Sequence, residues 1–128
     1  MTDWVLDASA LLALLHREPG ADQVAAALGQ GAVIGAVNLA EVVSRLTDGG
    51  MPETRVRSRL DALDLSIATY DEELALRTGF LRPQTRAHGL SLGDRACVAL
   101  AQRLDATALT ADSRWRQLAA DVRLAFIR

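Results

Sequence analysis

Short apolar segments alternate with helix-forming segments along the whole 128-residue chain. Five of the apolar segments have the length and residue content of buried strands: residues 4–7, 32–35, 65–68, 106–112 and 122–127. Strands that alternate with helices predict a parallel sheet with helices on both of its faces. We therefore expect an α/β fold with a central, mostly parallel sheet of four to five strands. The chain has no internal repeat, low-complexity tract or linker, so we expect one domain over residues 1–128.

Local signals predict where several helices begin and end. Asn38 is expected to cap the N-terminus of the helix after the second strand, and Gly49–Gly50 to end that helix. Pro52 is expected at the first helical position of the next one. The segment that starts at residue 71 is expected to be helical at least to Leu81, with a kink or an end at Pro83. A short helix is expected over residues 113–119.

The composition excludes several classes of protein. The net charge is −2, so no global basic field attracts nucleic acid, and all 14 basic residues are Arg. The single Cys, Cys97, excludes an intramolecular disulfide and fits a reducing cytosol. The N-terminal segment has no basic region, and its apolar run is too short to cross a membrane. We therefore expect a cytoplasmic protein without a membrane partner.

Four acidic residues stand at or near predicted strand ends. Asp7 ends the first strand, and Asp112 follows the fourth. Glu41 is expected in the first turn of the helix after the second strand, and Asp94 in the first turn of the helix before the fourth. Because open parallel sheets bind ligands at the carboxyl ends of their strands, we expect these acids to share one cleft.

Each acid also has a structural explanation that remains open. Asp7 and Asp112 are placed to cap the helices that follow them. Glu41 stands three residues after Asn38, and Asp94 three residues after Ser91, which is expected to cap its helix; both are the spacing of a capping box, or close to it. For any one of the four acids alone, capping is the favoured interpretation.

Capping alone does not explain how four acids could share one cleft, because their carboxylates repel one another. Two carboxylates ~5 Å apart at an effective dielectric constant of ~20 repel each other by roughly 3 kcal/mol. Such a cluster therefore needs protons or cations to neutralise it. Oxygen ligands suit Mg²⁺ or Mn²⁺, and these ions can activate water and stabilise an in-line displacement at phosphorus.

Four segments carry a resemblance to a known family: "WVLDASALLALL", "AVNLAEVVSRL", "LSLGDRACVALAQRL" and "ATALTADSRW". In this order, through nearly the whole chain, they resemble a PIN-domain ribonuclease, specifically a VapC-type toxin of a bacterial type II toxin–antitoxin pair. The resemblance implies metal-dependent hydrolysis of RNA phosphodiesters that leaves a 5′-phosphate and a 3′-hydroxyl. It also implies a homodimer and a small cognate antitoxin that obstructs the acidic cleft.

The resemblance assigns a role to each acid. Asp7 and Asp94 would be the main Mg²⁺ ligands, and Asp112 would complete the shell directly or through water. Glu41 would position or deprotonate the attacking water, or help to hold a second metal. All four acids would thus be both catalytic and metal-binding.

Further residues are candidates for supporting roles. Two hydroxyls, those of Ser9 and Thr110, flank the expected cluster and are placed to bind a ligand or a carboxylate; turn and cap roles are about equally consistent. Guanidinium groups suit phosphate, and four of them are near the acidic segments: Arg82, Arg86, Arg95 and Arg114. For Arg95, solvation or pairing with a nearby acid is the favoured alternative. Many relatives read T-A-D-R-x-W, whereas here Ser113 follows Asp112 and the Arg is shifted by one position, which leaves its role open.

Two rival functions follow from the same pattern. A receiver-like phosphoacceptor domain or a haloacid-dehalogenase-like phosphatase needs a Lys to hold the phosphoryl group, and this chain contains no Lys. A non-catalytic interaction module of the same fold would use the acids only as caps. Binding of Mn²⁺ distinguishes the interaction module from a metal-dependent nuclease, because clustered acids should bind Mn²⁺ and scattered capping acids should not. The sequence leaves open which RNA is cut, the number of metal ions and the antitoxin's identity.

Overall fold

A computed structural model describes residues 2–118 and 120–128 of the chain. Its strands are β1 (Trp4–Leu6), β2 (Val33–Gly35), β3 (Ser66–Ala68), β4 (Thr107–Thr110) and β5 (Arg123–Phe126). They form one sheet in the order β3-β2-β1-β4-β5, and every neighbouring pair is parallel. The expected α/β fold with a central parallel sheet is confirmed.

Helices connect the strands and cover both faces of the sheet. They are α1 (Ala8–Leu15), α2 (Ala21–Gly29), α3 (Ala36–Asp48), α4 (Glu53–Asp61), α5 (Glu72–Phe80), α6 (Arg82–Thr85) and α7 (Leu92–Leu104). Short 3₁₀ helices lie between α6 and α7 (Arg86–His88) and between β4 and β5 (Ser113–Gln117). Among the described residues, no helix is both long enough and apolar enough to cross a membrane.

The alternation of side chains along the strands divides the core into two parts. Leu6 and Leu109 pack into a cluster with α1, α2, α3 and α4, whereas Val5 and Ala108 pack into a second cluster with α5 and α7. Successive residues of a strand point to opposite faces, so both faces of β1 and β4 are buried. The first of these strands is fully apolar for this reason, as parallel strands usually are.

Two expected helix starts are wrong. Helix α3 begins at Ala36 with Gly35 as its N-cap, so Asn38 is a buried residue inside the first turn rather than the cap. The extended backbone of Gly35 leads directly from β2 into the helix, without an intervening polar residue. Glu41 consequently lies in the second turn of α3. Pro52 is the N-cap of α4 rather than its first helical residue.

The segment after Asp71 is broken near the expected place. Helix α5 ends at Phe80, and α6 restarts at Arg82 with Pro83 in its first turn, where the missing N–H removes no helical hydrogen bond. The helix expected over 113–119 is a 3₁₀ helix that ends at residue 117, and residue 119 lies outside the described part of the chain.

The C-terminal segment closes the fold against the loop before α2. Gly20 has φ +96°, and a Cβ added to it would lie 2.6 Å from Cβ of Ile127. Both the backbone conformation and this close approach therefore require glycine. Arg128 donates a hydrogen bond to the carbonyl of Pro19 (2.9 Å), and its side chain reaches the cleft described next.

Candidate metal centre

A cleft of about 960 Å³ opens beside the carboxyl ends of the central strands. Strand β1 lies between β2 and β4, so the order of the strands reverses at this point, as in other open α/β sheets that bind ligands there. Asp7, Glu41, Asp94 and Asp112 all line this cleft. The four acids that the sequence places near strand ends thus share one concave surface.

Asp7 is the most buried of the four acids, at 3% exposure. It caps the N-terminus of α1, and its Oδ1 accepts a hydrogen bond from the backbone N–H of Ala10 (2.8 Å). The hydroxyl of Ser9 donates to Oδ1 at 2.7 Å, and the hydroxyl of Thr110 donates to Oδ2. Three donors from two elements therefore hold this carboxylate in one orientation.

The environment of Asp7 makes its ionisation costly. Burial raises the pKa of Asp7 from an ordinary value of 3.8 to about 6, and the charge of Asp94 adds to this rise. The hydrogen bonds from Thr110, Ala10 and Ser9 act in the opposite direction and lower the pKa. Burial outweighs them, because a charge removed from water loses more solvation than a few hydrogen bonds restore.

The two hydroxyls connect Asp7 to the strand end that carries Asp112. Oγ1 of Thr110 accepts a hydrogen bond from the backbone N–H of Asp112 (3.0 Å), and Oγ of Ser9 accepts one from Ala111 (2.9 Å). Ser9 and Thr110 therefore bind a carboxylate, which is one of the two uses that the sequence leaves open for them. They also fix the turn that follows β4.

Asp94 belongs to a capping box at the start of α7. The hydroxyl of Ser91 accepts from the backbone N–H of Asp94 (3.2 Å), and the Asp94 carboxylate accepts from the backbone N–H of Ser91 (2.9 Å). This part of the capping interpretation is correct, and it does not compete with a role in the cleft. The cap holds the carboxylate at the cleft wall with only 17% of its side chain exposed.

Glu41 reaches the same wall from α3. Its Oε1 accepts a hydrogen bond from Nδ2 of Asn38 (2.8 Å), and the same Nδ2 donates to the carbonyl of Gly93 (3.0 Å). Burial raises the pKa of Glu41 and the charge of Asp94 raises it further, whereas Asn38 and Arg45 lower it. The capping-box interpretation of Glu41 is wrong, since the residue three positions before it is not the cap.

Arg114 lies between Asp112 and Asp94. Its guanidinium donates to both oxygens of Asp112, with the shortest contact at 2.6 Å, and its Nη2 lies 3.8 Å from Oδ2 of Asp94. These hydrogen bonds hold the pKa of Asp112 below its ordinary value. Asp112 also caps the following 3₁₀ helix, as its sequence position predicts. The displaced Arg of the "TADSRW" segment is therefore engaged with the acids of the site itself.

The other Arg candidates lie away from the acids. Arg82 and Arg86 are exposed on the segment before α7, and neither lines the cleft. Arg95 is half-buried and donates to the carbonyl of Thr78 near the end of α5 (3.1 Å). This contact is neither the phosphate contact nor the pairing with an acid that the sequence suggests.

Two basic residues that the sequence reasoning missed, Arg45 and Arg128, do line the cleft. Arg45 stands four residues after Glu41 on one helix, and that spacing was a usable signal. Arg128 gave no such signal, because only the packing of the C-terminal segment brings it to the cleft.

The donor set of the cleft fits a hard divalent cation. All four acids offer oxygen. Burial is the main cause of the raised pKa of Asp7 and of Glu41, and the charge of Asp94 raises both further, as expected for like charges in one cleft. Within residues 2–118 and 120–128, no three His, Cys, Asp or Glu side chains are close enough together to hold a metal ion as they stand. Mg²⁺ usually keeps several waters and binds through one or two carboxylates, so the arrangement remains compatible with it.

Solved structures with the same fold come from several bacteria. A chain in the structure of a DNA-bound VapBC complex from Salmonella typhimurium matches with a TM-score of 0.79 at 15% identity. The match covers 100% of both chains. A toxin–antitoxin complex from Klebsiella pneumoniae (TM-score 0.73) and FitAcB from Neisseria gonorrhoeae (TM-score 0.68) are each 22% identical, with 97% of both chains covered. At these identities the likeness establishes the fold.

Comparison at the level of sequence identifies the family. No curated protein matches the chain significantly. The model of the PIN domain family matches residues 4–121, which include all four acids of the cleft. The identification made from the four sequence segments is thereby confirmed, and the chain belongs to the PIN domain family.

Proposed function

We propose that this protein is a VapC-type toxin: a Mg²⁺- or Mn²⁺-dependent endoribonuclease that hydrolyses RNA phosphodiester bonds. The observation that carries the proposal is the buried Asp7 carboxylate, held by three donors in a cleft that Glu41, Asp94 and Asp112 also line. A buried carboxylate with a raised pKa costs stability. Such a cost is typical of functional sites, where charge is needed regardless of folding.

Asp7 and Asp94 would hold the cation, with Asp112 close by. A divalent cation in the cleft would activate water and stabilise the negative charge that develops at phosphorus. Glu41 is suited to accept a proton from the attacking water, because burial raises its pKa above the ordinary value and makes it a stronger base. The bond cleaved would be the one to the 3′ oxygen, which leaves a 5′-phosphate and a 3′-hydroxyl.

The proposed partners are an RNA substrate, a small cognate antitoxin and a second copy of the chain, all in the cytoplasm. Solved structures of similar fold include toxin–antitoxin complexes, one of them from Klebsiella pneumoniae. Arg82 and Arg86 are exposed on the segment that precedes the Asp94-bearing helix, where RNA phosphates are accessible to them. Arg114 is proposed to contact RNA as well, after release from Asp112.

Cleavage of RNA by the purified chain tests the proposal. We expect cleavage with Mg²⁺ or Mn²⁺, and we expect both EDTA and Asp94→Asn to abolish it. Asp71→Asn is the matched control, because Asp71 also sits at a helix N-terminus but lies outside the cleft. Cleavage by Asp94→Asn at the rate of the unmodified protein would refute the metal-site assignment. Sequencing of RNA fragments after induced expression then names the target.

Binding of Mn²⁺ separates this proposal from a non-catalytic interaction module. A module whose acids serve only as caps has no reason to bind Mn²⁺ through Asp7 and Asp94. We expect saturable binding that both Asp7→Asn and Asp94→Asn weaken, measured by the loss of the free Mn²⁺ electron paramagnetic resonance signal. Equal binding by Asp94→Asn and Asp71→Asn would favour the module.

A further inference from the structure

Asn38 is the only Asn in the chain, and it is 1% exposed. Its Nδ2 contacts two groups that accept hydrogen bonds but do not donate them: the Glu41 carboxylate at 2.8 Å and the Gly93 carbonyl at 3.0 Å. Only the amide nitrogen satisfies both, so the orientation of this side chain is determined by its partners. Both amide hydrogens are used, one toward α3 and one toward α7.

Gly93 faces Glu41 from the first turn of α7, between Leu92 and Asp94. A Cβ added to Gly93 would overlap the carboxylate of Glu41. The backbone of Gly93 does not have a positive φ, so glycine is needed here for space and not for conformation. Glycine inside a helix costs about 1 kcal/mol relative to Ala, so helix stability alone favours Ala at this position.

We propose that Asn38 and Gly93 are positioning residues that hold the Glu41 carboxylate against the Asp94-bearing turn of α7. The inference rests on the proposed metal-dependent function and assigns two further residues to it. Both residues act through Glu41: Asn38 supplies the hydrogen-bond donor, and Gly93 supplies the space.

The arrangement opposes a repulsion that would otherwise displace Glu41. Glu41 and Asp94 are like charges on adjacent helices, and a carboxylate in this situation turns toward solvent unless a donor retains it. Asn38 is the retaining donor, and it is anchored in turn by the Gly93 carbonyl next to Asp94. Loss of either positioning residue moves one negative charge away from the cleft and weakens its attraction for a cation.

Titration of Mn²⁺ alone into the full chain tests the assignment. We expect Gly93→Ala to weaken Mn²⁺ binding about tenfold, the lower end of the range for groups that orient metal ligands. Gly79→Ala is the matched control: it is the same substitution inside α5, and an added Cβ meets nothing within 4 Å. Both variants remove a helical glycine, so thermal unfolding should show folded proteins in both cases.

A second pair of variants establishes that the effect runs through Glu41. In a Glu41→Ala background, Gly93→Ala should cause no further loss of Mn²⁺ affinity, because the displaced group is already absent. Asn38→Ala should likewise weaken Mn²⁺ binding about tenfold when Glu41 is present. In the Glu41→Ala background, Asn38→Ala should cause no further loss of Mn²⁺ affinity.

Three results would overturn the inference in distinguishable ways. If Gly93→Ala binds Mn²⁺ as tightly as Gly79→Ala, the positioning role is wrong while the metal site stands. An equal loss with and without Glu41 would show that Gly93 acts through another group. Absence of Mn²⁺ binding by the unmodified chain would refute the proposed function together with the inference.

Discussion

Replacement of Asp7 by Asn should stabilise the metal-free protein at neutral pH. Asp7 is 3% exposed, and burial raises its pKa from 3.8 to about 6. Because the folded protein holds the proton more tightly than the unfolded chain, ionisation of Asp7 opposes folding. The loss of unfolding free energy caused by the Asp7 charge is absent below the ordinary pKa of 3.8. It develops as the pH rises toward 6 and is complete above that value.

The magnitude follows from the size of the shift. A rise from 3.8 to about 6 corresponds to roughly 3 kcal/mol of unfolding free energy at pH 7. Asn retains the N-cap role, because its oxygen accepts the Ala10 N–H as the carboxylate does. One of the two hydroxyl hydrogen bonds must reorganise around the amide, at a cost of about 1 kcal/mol. We therefore expect a net gain of about 2 kcal/mol at pH 7.

Urea unfolding with EDTA present, at a series of pH values from 4 to 7.5, measures this effect. The difference in unfolding free energy between Asp7→Asn and the unmodified chain should increase by about 2.5 kcal/mol across the series, because part of the effect of the 3.8-to-6 shift has already developed at pH 4. Groups that the two proteins share cancel in that difference. A difference that does not change with pH, or a variant that is less stable at pH 7, would refute the assignment of a costly buried charge to Asp7.

Three further predictions concern the cap, the guanidinium and the C-terminal packing. Ser91→Ala should lower the unfolding free energy by about 1 kcal/mol through loss of the capping box, and an unchanged melting temperature would contradict this. Arg114→Ala should return the pKa of Asp112 toward its ordinary value and tighten Mn²⁺ binding, because the guanidinium competes for the same carboxylate; weaker binding in a titration would contradict this. Gly20→Ala should cost more than about 2 kcal/mol in urea unfolding, since the new Cβ meets Ile127 at a positive φ; a change below 0.5 kcal/mol would contradict this.

Most of the fold was accessible from local patterns. Each strand is a short apolar segment, and helical segments connect each of the first four strands to the next. The handedness and parallel order of such units leave few arrangements. Helix boundaries were predicted correctly where one side chain decides them, as at Asp7 and Ser91. The prediction failed at Asn38, because a residue type that favours capping can also serve as a donor to a tertiary partner.

The acids were identifiable from sequence, but their partners were not. Asp7, Glu41, Asp94 and Asp112 stand out because the carboxyl ends of parallel strands meet at one edge of the sheet. The contact of Asn38 with Gly93 joins residues 55 positions apart, and no local pattern encodes that separation. The pairing of Arg114 with Asp94 likewise depends on the relative placement of β4 and α7.

The sequence by itself determined the chemistry that is available: oxygen ligands near strand ends, Arg as the only strong cation, and no Lys. It determined the fold class too, since hydrophobic periodicity and helix caps act over a few residues. Only the tertiary structure decided which carboxylate is buried, which is retained by an amide, and which is already paired with a guanidinium. Burial and charge pairing depend on groups that are distant in the chain, so the properties of Asp7, Glu41 and Asp112 diverge only after folding.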